Sequence, residues 1–456
     1  MRSAEHARSP LVRFLRWMTP GMHLKRWLLI AVAGAFLFLD GVDRILNLYG
    51  YNFHINQTID ALAAGRLWPQ SLAWLLIVVG AALIYYGLRQ WMRSIVHAVS
   101  PADGQRLIEV IYERRQLNRG QRIVAIGGGT GLSTLLRGLK EYTSNVTAVV
   151  TVTDDGGSSG RLRQELGLLP PGDIRNCLVA LADSESMMTD LFQYRFNEGD
   201  GLSGHSFGNL FIAAMCGIAG DFDRAIKESS RVLAIRGRVL PSTLANIALE
   251  ATLADGSTVR GESTISKSSS PIARMRLIPE RCEPLPEVME AIREADLIVL
   301  GPGSLYTSLI PNLLVPGIAA AISASRALKV YVCNIMTQPG ETDGMSASAH
   351  VRALLSCAVR ERLFDYVLVN VQEPHRLRRV YESEGAHYVF PDLEAIGALG
   401  VLPVSAKLLA EHHLVRHDPG KLTQALIKLA LEHAEAPGLM GLRPGTTRRP
   451  SVQQPS

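Results

Sequence analysis

Five consecutive residues carry the first chemical signal in this 456-residue chain: Gly127, Gly128, Gly129, Thr130 and Gly131. They follow an apolar run at 122–126 that reads as a buried strand and precede a stretch, 132–140, with helical spacing. The glycines therefore sit at a strand-to-helix turn, where backbone amides and a helix N-terminus can hold a phosphate. The pattern is G-x-G-x-G, with Leu132 where the dinucleotide fingerprint wants its third glycine, and no Gly-Lys-Ser/Thr follows at P-loop spacing. A tight turn without ligand is the plainer reading of such a cluster alone. A second strand at 146–152 runs into Thr153-Asp154-Asp155-Gly156-Gly157-Ser158-Ser159-Gly160-Arg161. Asp154 and Asp155 can bind ribose hydroxyls or Mg²⁺, while Ser158, Ser159 and Arg161 can take phosphate oxygens.

Further loops repeat the theme. Pro170-Pro171-Gly172-Asp173-Ile174-Arg175-Asn176 opens a helix, with Asp173 read as its N-cap. Arg175 in that first turn opposes the helix dipole, a conflict that an anionic ligand would remove. Gly204-His205-Ser206-Phe207-Gly208 matches G-x-S-x-G, but a loop rather than a strand precedes it, so no nucleophile elbow is expected. His205 and Asn209 read instead as polar groups at a helix start, available to a ligand. A strand at 297–300 leads into Gly301-Pro302-Gly303-Ser304-Leu305-Tyr306-Thr307, and one at 330–333 into the loop carrying Asn334, Thr337 and Glu341. Four strand ends bearing small and polar residues suggest one crevice, the usual ligand position in an open parallel sheet. His412, His413 and His417 have no evident carboxylate partner and read as surface residues.

The elements that must position these loops alternate. Apolar β-branched runs at 123–126, 146–152, 297–300, 330–333 and 366–369 are separated by helical patterns. This predicts an α/β fold: a Rossmann-like, mostly parallel sheet with helices on both faces. A polar insertion from about 239 to 278 reads as a small antiparallel excursion. Two apolar stretches precede the domain, predicting an N-terminal helical transmembrane hairpin with candidate helices at 27–48 and 72–88. Basic residues before the first and after the second put both ends in the cytoplasm. A cleaved signal peptide or a buried helical pair are the plainer alternatives. The expected layout is a cytoplasmic segment 1–26, a membrane hairpin 27–88, a helical linker 89–119, a nucleotide-binding domain 120–435 and a disordered tail 436–456. Net charge is +5 with no dense basic stripe, which argues against nucleic acid. Five scattered cysteines without a C-x-x-C pair fit a reducing compartment.

The loops resemble those of the gluconeogenesis-factor (YvcK-like) branch of the CofD-like family, which includes 2-phospho-L-lactate transferase. The resemblance covers most of residues 122–431. It implies a Rossmann-like fold, a ligand of the UDP-N-acetylglucosamine type, and a role in carbon metabolism, cell shape and envelope synthesis. On it, Gly127–Gly131, Asp154, Ser158, Ser159, Arg161, Gly303, Ser304, Tyr306 and Thr307 line the nucleotide site, joined by Asp173, Arg175, His205, Asn209, Asn334, Thr337 and Glu341. The Gly-Gly-Gly-Thr-Gly and Thr-Gln-Pro-Gly-Glu-Thr forms match the regulator branch better than the transferase branch. The expectation is thus a membrane-tethered nucleotide-sugar sensor that requires no cofactor. The alternative is a Mg²⁺-dependent transferase acting on a nucleotide diphosphate, with Asp154 and Asp155 on the metal. A dinucleotide-dependent oxidoreductase is the weakest option. The partners expected are a UDP-sugar or other nucleotide diphosphate and the membrane, with a homo-oligomer left open.

Overall fold

The computed structural model describes residues 24–48, 70–99 and 115–435, apart from 184, 269, 359–361 and 412. The expected N-terminal segment, most of the linker after residue 99 and the tail after 435 lie outside these residues, as does His412. The chain divides into two units, Met1–Glu113 and Arg114–Ser456.

In the first unit, α1 (Leu24–Leu48) and α2 (Gln70–Val99) pack along their lengths. The contact is made by Gly34 and Gly41 on α1 and Gly80 and Gly87 on α2. A Cβ at Gly34 would lie 2.8 Å from the Gly80 carbonyl oxygen, and one at Gly87 2.7 Å from that of Trp27. Small residues allow backbones to approach this closely, a habit of helices packed in membranes. Leu29, Phe36, Val78 and Tyr85 are exposed on the pair. Among the described residues one helix, Ser71–Ser94, is by itself long and apolar enough to cross a membrane. On α1, Asp40 and Arg44 form a 2.9 Å ion pair.

The second unit is built on a seven-stranded sheet in the order β10-β9-β8-β7-β1-β2-β3, with every neighbouring pair parallel. Its strands are β1 (Ile123–Gly127), β2 (Val146–Val150), β3 (Arg238–Pro241), β7 (Leu297–Leu300), β8 (Leu328–Val332), β9 (Tyr366–Asn370) and β10 (Leu402–Ala406). The five inner strands are buried at every position, which is why they read as continuous apolar runs. The rim strands correct the sequence reading. β3 joins the parallel sheet instead of beginning the antiparallel excursion, and β10, a half-exposed edge strand interrupted by Pro403, was not foreseen. The excursion itself is the three-stranded sheet β5-β4-β6, from β4 (Ala248–Leu253), β5 (Thr258–Arg260) and β6 (Ile272–Ile278), with strict alternation of burial along β4. A short hairpin, β11 (Leu409–Glu411) with β12 (Val415–His417), follows β10.

β1 pairs with β2 on one side and β7 on the other. The connections therefore diverge at β1, and such a switch point opens a crevice beyond the carboxyl ends of the strands. Helix α3 (Gly129–Leu139) leaves β1 there and buries Leu132, Leu135, Leu136 and Leu139. Next in the chain come α4 (Gly157–Leu166), α5 (Gly172–Leu181), α6 (Glu185–Gln193) and α7 (Phe207–Ala219), which supply the walls described below.

Candidate functional site

At the switch point the first glycine loop meets the loops after β7 and β8 around a crevice of about 430 Å³. Gly128–Gly131 form one wall, Pro302–Ser304 and residues 334–339 the other, and Tyr381 with residues 414–417 close the far side. The loops touch backbone to backbone. A Cβ on Gly131 would lie 2.6 Å from the Pro302 carbonyl oxygen. Asn334 clamps Gly303 from both sides, accepting from its amide at 3.3 Å and donating to its carbonyl at 2.8 Å. Ser304 donates to Gln338 at 2.7 Å, and Thr337 exchanges bonds with the backbone of His387 at 2.7 and 2.8 Å. Asn334, Ser304 and Thr337 thus fix the frame of the crevice. Thr130 stands exposed at its mouth.

The floor beneath the glycine loop is acidic: a Cβ on Gly128 would collide with the Asp173 carboxylate, although Asp154, Asp155, Asp173, Glu262 and Glu341 lie outside the crevice lining. Asp173 does not cap its own helix: α5 begins at Gly172 behind Pro171, and the Asp173 carboxylate accepts from the Gly129 amide at the start of α3. It occupies the helix end that sequence reasoning reserved for phosphate. Burial, and next Asp154, push its pKa up to about 7, while the Gly129 amide pulls it down. Glu262, after the turn at Gly261, is pushed to about 9 by burial and then by Asp154 and Asp173. Glu341 is buried. Its Oε1 accepts from Thr307 and Ser266 at 3.1 Å and from Gln338 at 2.6 Å, and the Tyr306 and Thr307 amides donate to the carboxylate. Its Oε2 has no partner, and burial raises its pKa. Tyr306 and Thr307 lie in a π-helical turn, Leu305–Leu309, a distortion often found at functional sites.

Asp154 and Asp155 diverge. Asp154 accepts from the Gly156 amide at 2.9 Å, whereas Asp155 reaches across to the Ser263 amide at 2.9 Å and ties the small antiparallel sheet to the crevice. Among the described residues no three His, Cys, Asp or Glu side chains are grouped to hold a metal ion. The adjacent pair does not fit a shared Mg²⁺ as it stands.

Behind the floor lies a closed polar network. Ser158 bonds His205 Nδ1 at 2.9 Å, Asn209 donates to Ser158 and Ser159 at 3.1 and 3.4 Å, and Arg175 donates to Ser206 and Asn209 at 2.5 and 2.9 Å. Ser206 also caps α7. All except Arg175 are buried. Burial, and next Arg161, lower the His205 pKa. These residues join α4, α5 and α7, so Ser158, Ser159, His205 and Asn209 are turned to each other and not to the crevice. Arg161 likewise reaches the Ser203 carbonyl at 2.8 Å. Asn209→Ala is expected to lower stability by about 1–3 kcal/mol, the usual cost of stranding buried polar groups. Thermal unfolding of the full chain checks this, and an unchanged melting temperature would show the network to be idle.

Several crevice residues escaped the sequence reading, Tyr381, Glu384 and Arg416 among them. Tyr381 and Glu384 come from a short helix, Arg378–Ser383, and its end, and Arg416 from β12. The Tyr381 hydroxyl accepts from the Val415 amide at 3.1 Å, joining the two segments. His417 corrects the surface assignment: it is buried, lines the crevice, and burial lowers its pKa to about 4.

Comparison with known proteins agrees with this geometry. The family model described as "2-phospho-L-lactate transferase CofD" matches residues 123–409. A gluconeogenesis-factor protein of Nostoc sp. (strain PCC 7120) is 49% identical over 421 residues, covering 91% of this chain and 92% of its own. The gluconeogenesis factor of Bacillus subtilis (strain 168) is 50% identical over 316 residues, 68% of this chain and 98% of that one. A crystal structure of a UPF0052-family protein from Bacillus halodurans superposes with a TM-score of 0.65 at 50% identity, covering 68% of this chain and 99% of that one. With the parallel sheet, the switch-point crevice and these matches together, the chain belongs to the CofD family, among the proteins named gluconeogenesis factors.

Proposed function

We propose that this protein is a membrane-tethered regulator whose cytoplasmic domain binds a nucleotide-diphosphate sugar of the UDP-N-acetylglucosamine type and reports its level to carbon metabolism and envelope synthesis. The observation that carries the reading is the convergence of the glycine loop, the loops after β7 and β8, Tyr381 and Arg416 on one crevice. Arg416 suits the charge of a diphosphate, and the Tyr381 ring suits a base. Ser158, which bonds His205, is buried and does not line the crevice, so that pair offers the crevice no nucleophile. The apolar span at Ser71–Ser94, the glycine-faced helix pair and the paired charges of α1 support the tether. Arg89 and Arg93 near the end of that span favour a cytoplasmic domain.

The test is calorimetry of the full chain in detergent micelles against UDP-N-acetylglucosamine, GDP and NAD, with the recovered nucleotide analysed after incubation with Mg²⁺. Stoichiometric binding of the UDP-sugar, recovered intact, is expected. Tyr381→Ala and Arg416→Ala should each weaken it about tenfold or more, as stacking contributes roughly 1–3 kcal/mol and a charged hydrogen bond roughly 1.5–3 kcal/mol. Binding of NAD in its place, or unchanged affinity in both variants, would refute the reading.

A second reading, a transferase acting on a nucleotide diphosphate, is supported by the family description. Mg²⁺-dependent consumption of a diphosphate donor would decide in its favour.

A further inference from the structure

Beside the crevice lies a second cleft of about 300 Å³ with the opposite charge. Arg137 of α3, Arg175 of α5, Arg195 beyond α6 and Arg416 of β12 all line it, together with the amide side chains of Asn176 and Gln193. Among the described residues no aspartate or glutamate lines it. Thr130 and Arg416 belong to both clefts, so the two adjoin.

Guanidinium groups gathered around so small a volume repel one another, and an anion among them would relieve that repulsion. The bonds of Arg175 go to neutral oxygens: Ser206, Asn209 and, at 2.9 Å, Asn176. Its buried Nε has no partner. Arg195 donates to the Gly204 carbonyl at 2.6 Å, again a neutral acceptor. Burial and the proximity of Arg195 lower the Arg175 pKa, with Asp173 and Asp154 on its other side acting in the opposite sense. Guanidinium forks match the geometry of phosphate oxygens, and the neighbouring amides can bond hydroxyl groups.

We propose that this cleft is a second ligand site, for a phosphate monoester of hexose size, coupled to the nucleotide crevice through Thr130 and Arg416. An anion in either cleft draws on the same Arg416 guanidinium and repels an anion in the other. The coupling is therefore antagonistic, and by linkage each ligand weakens the other by the same factor. The site stands independently of the nucleotide-sugar reading; only the coupling rests on it. A regulator so built compares a phosphorylated sugar with a nucleotide-activated one.

The experiment is calorimetry of the full chain in micelles at fixed ionic strength, with glucose 6-phosphate, inorganic phosphate and glucose as probes. Glucose 6-phosphate is expected to bind, inorganic phosphate more weakly, and glucose not at all. Arg195→Glu should weaken the ester at least tenfold and leave UDP-N-acetylglucosamine affinity within twofold. Arg195→Lys, which keeps the charge, should retain most binding and controls for misfolding. Tyr381→Ala should do the reverse, losing the nucleotide and keeping the ester. Saturating glucose 6-phosphate should weaken UDP-N-acetylglucosamine several-fold. Absence of heat from both phosphates, or binding indifferent to Arg195→Glu, would overturn the site; equal affinity for inorganic phosphate would overturn the sugar assignment. If the ester binds through Arg195 while UDP-N-acetylglucosamine does not bind, the second site stands and the proposed function falls.

Discussion

Gly131→Ala is expected to reduce nucleotide-sugar affinity by roughly a hundredfold or more, about 2.7 kcal/mol. The reason is contact, not backbone conformation. A Cβ at this position would sit 2.6 Å from the Pro302 oxygen, 2.8 Å from its carbonyl carbon and 2.9 Å from the Gly303 nitrogen, all of them backbone atoms. No rotamer change can relieve such a clash. The loop after β7 must withdraw, at the roughly 1–3 kcal/mol typical of overpacking, and the two bonds from Asn334 to Gly303 go with it. Gly129→Ala provides the contrast. Gly129 has φ +64°, but a Cβ there would meet nothing closer than 3.9 Å. Its cost is the left-handed backbone alone, about 1–2 kcal/mol, with the crevice walls left in place. Calorimetric titration and thermal unfolding of both variants separate the two effects. If Gly131→Ala bound the UDP-sugar like the parent protein, or no worse than Gly129→Ala, close approach of the two loops would not be what shapes the site.

The second large effect concerns pH. In the folded protein Asp173 titrates near 7 and Glu262 near 9, far above the ordinary carboxyl range. Burial and the neighbouring Asp154 disfavour their charged forms. Between about pH 4 and 9 the unfolded chain, with ordinary carboxyl groups, binds fewer protons at these two positions than the folded one. Stability contributed by the protonated groups is therefore fully present at low pH and is lost as pH rises through 7 and then 9. Because the carboxylates interact, the apparent values belong to the cluster. Glu262→Gln, which keeps the shape and removes the titration, should flatten the profile. Its melting temperature should exceed that of the parent by several degrees at pH 8, at about 2–4 °C per kcal/mol for a domain of this size, and converge with it near pH 4. Asp173 lies directly beneath Gly128 of the crevice wall, so UDP-sugar affinity should also fall as its charge develops from pH 6 to 9, and less so in Glu262→Gln. A parallel pH profile for the two proteins would show that Glu262 is ionised throughout and that the acidic floor stores no repulsion.

The chain announced its sheet because buried parallel strands need continuous β-branched runs, and the runs at 123–126, 297–300 and 366–369 are that pattern undiluted. The glycine turns announced themselves for the same local reason. Gly131 stands where another backbone passes within contact distance, Gly128 where the Asp173 and Thr151 side chains press in, and a side chain has no room at either. Three other matters were invisible. Asp173 sits in the first turn of its own helix and looks like a cap, yet its carboxylate serves the Gly129 amide of α3. His205 and Asn209 look available, yet they close a network with Ser158 and Arg175. Tyr381, Arg416 and His417 carry no motif at all.

What the sequence by itself determined is whatever depends on neighbours along the chain: strand, turn, helix, the apolar span and the family signature in the loops. What only the tertiary structure decided is which polar groups meet. β1 lies between β2 and β7, although some 170 residues separate β1 from β7 along the chain. That placement brings Gly131 against Pro302, sets Glu262 among the aspartates and gathers four arginines from four elements into one cleft. Hydrogen bonding and charge act over a few ångströms of space, and sequence distance contains no record of them.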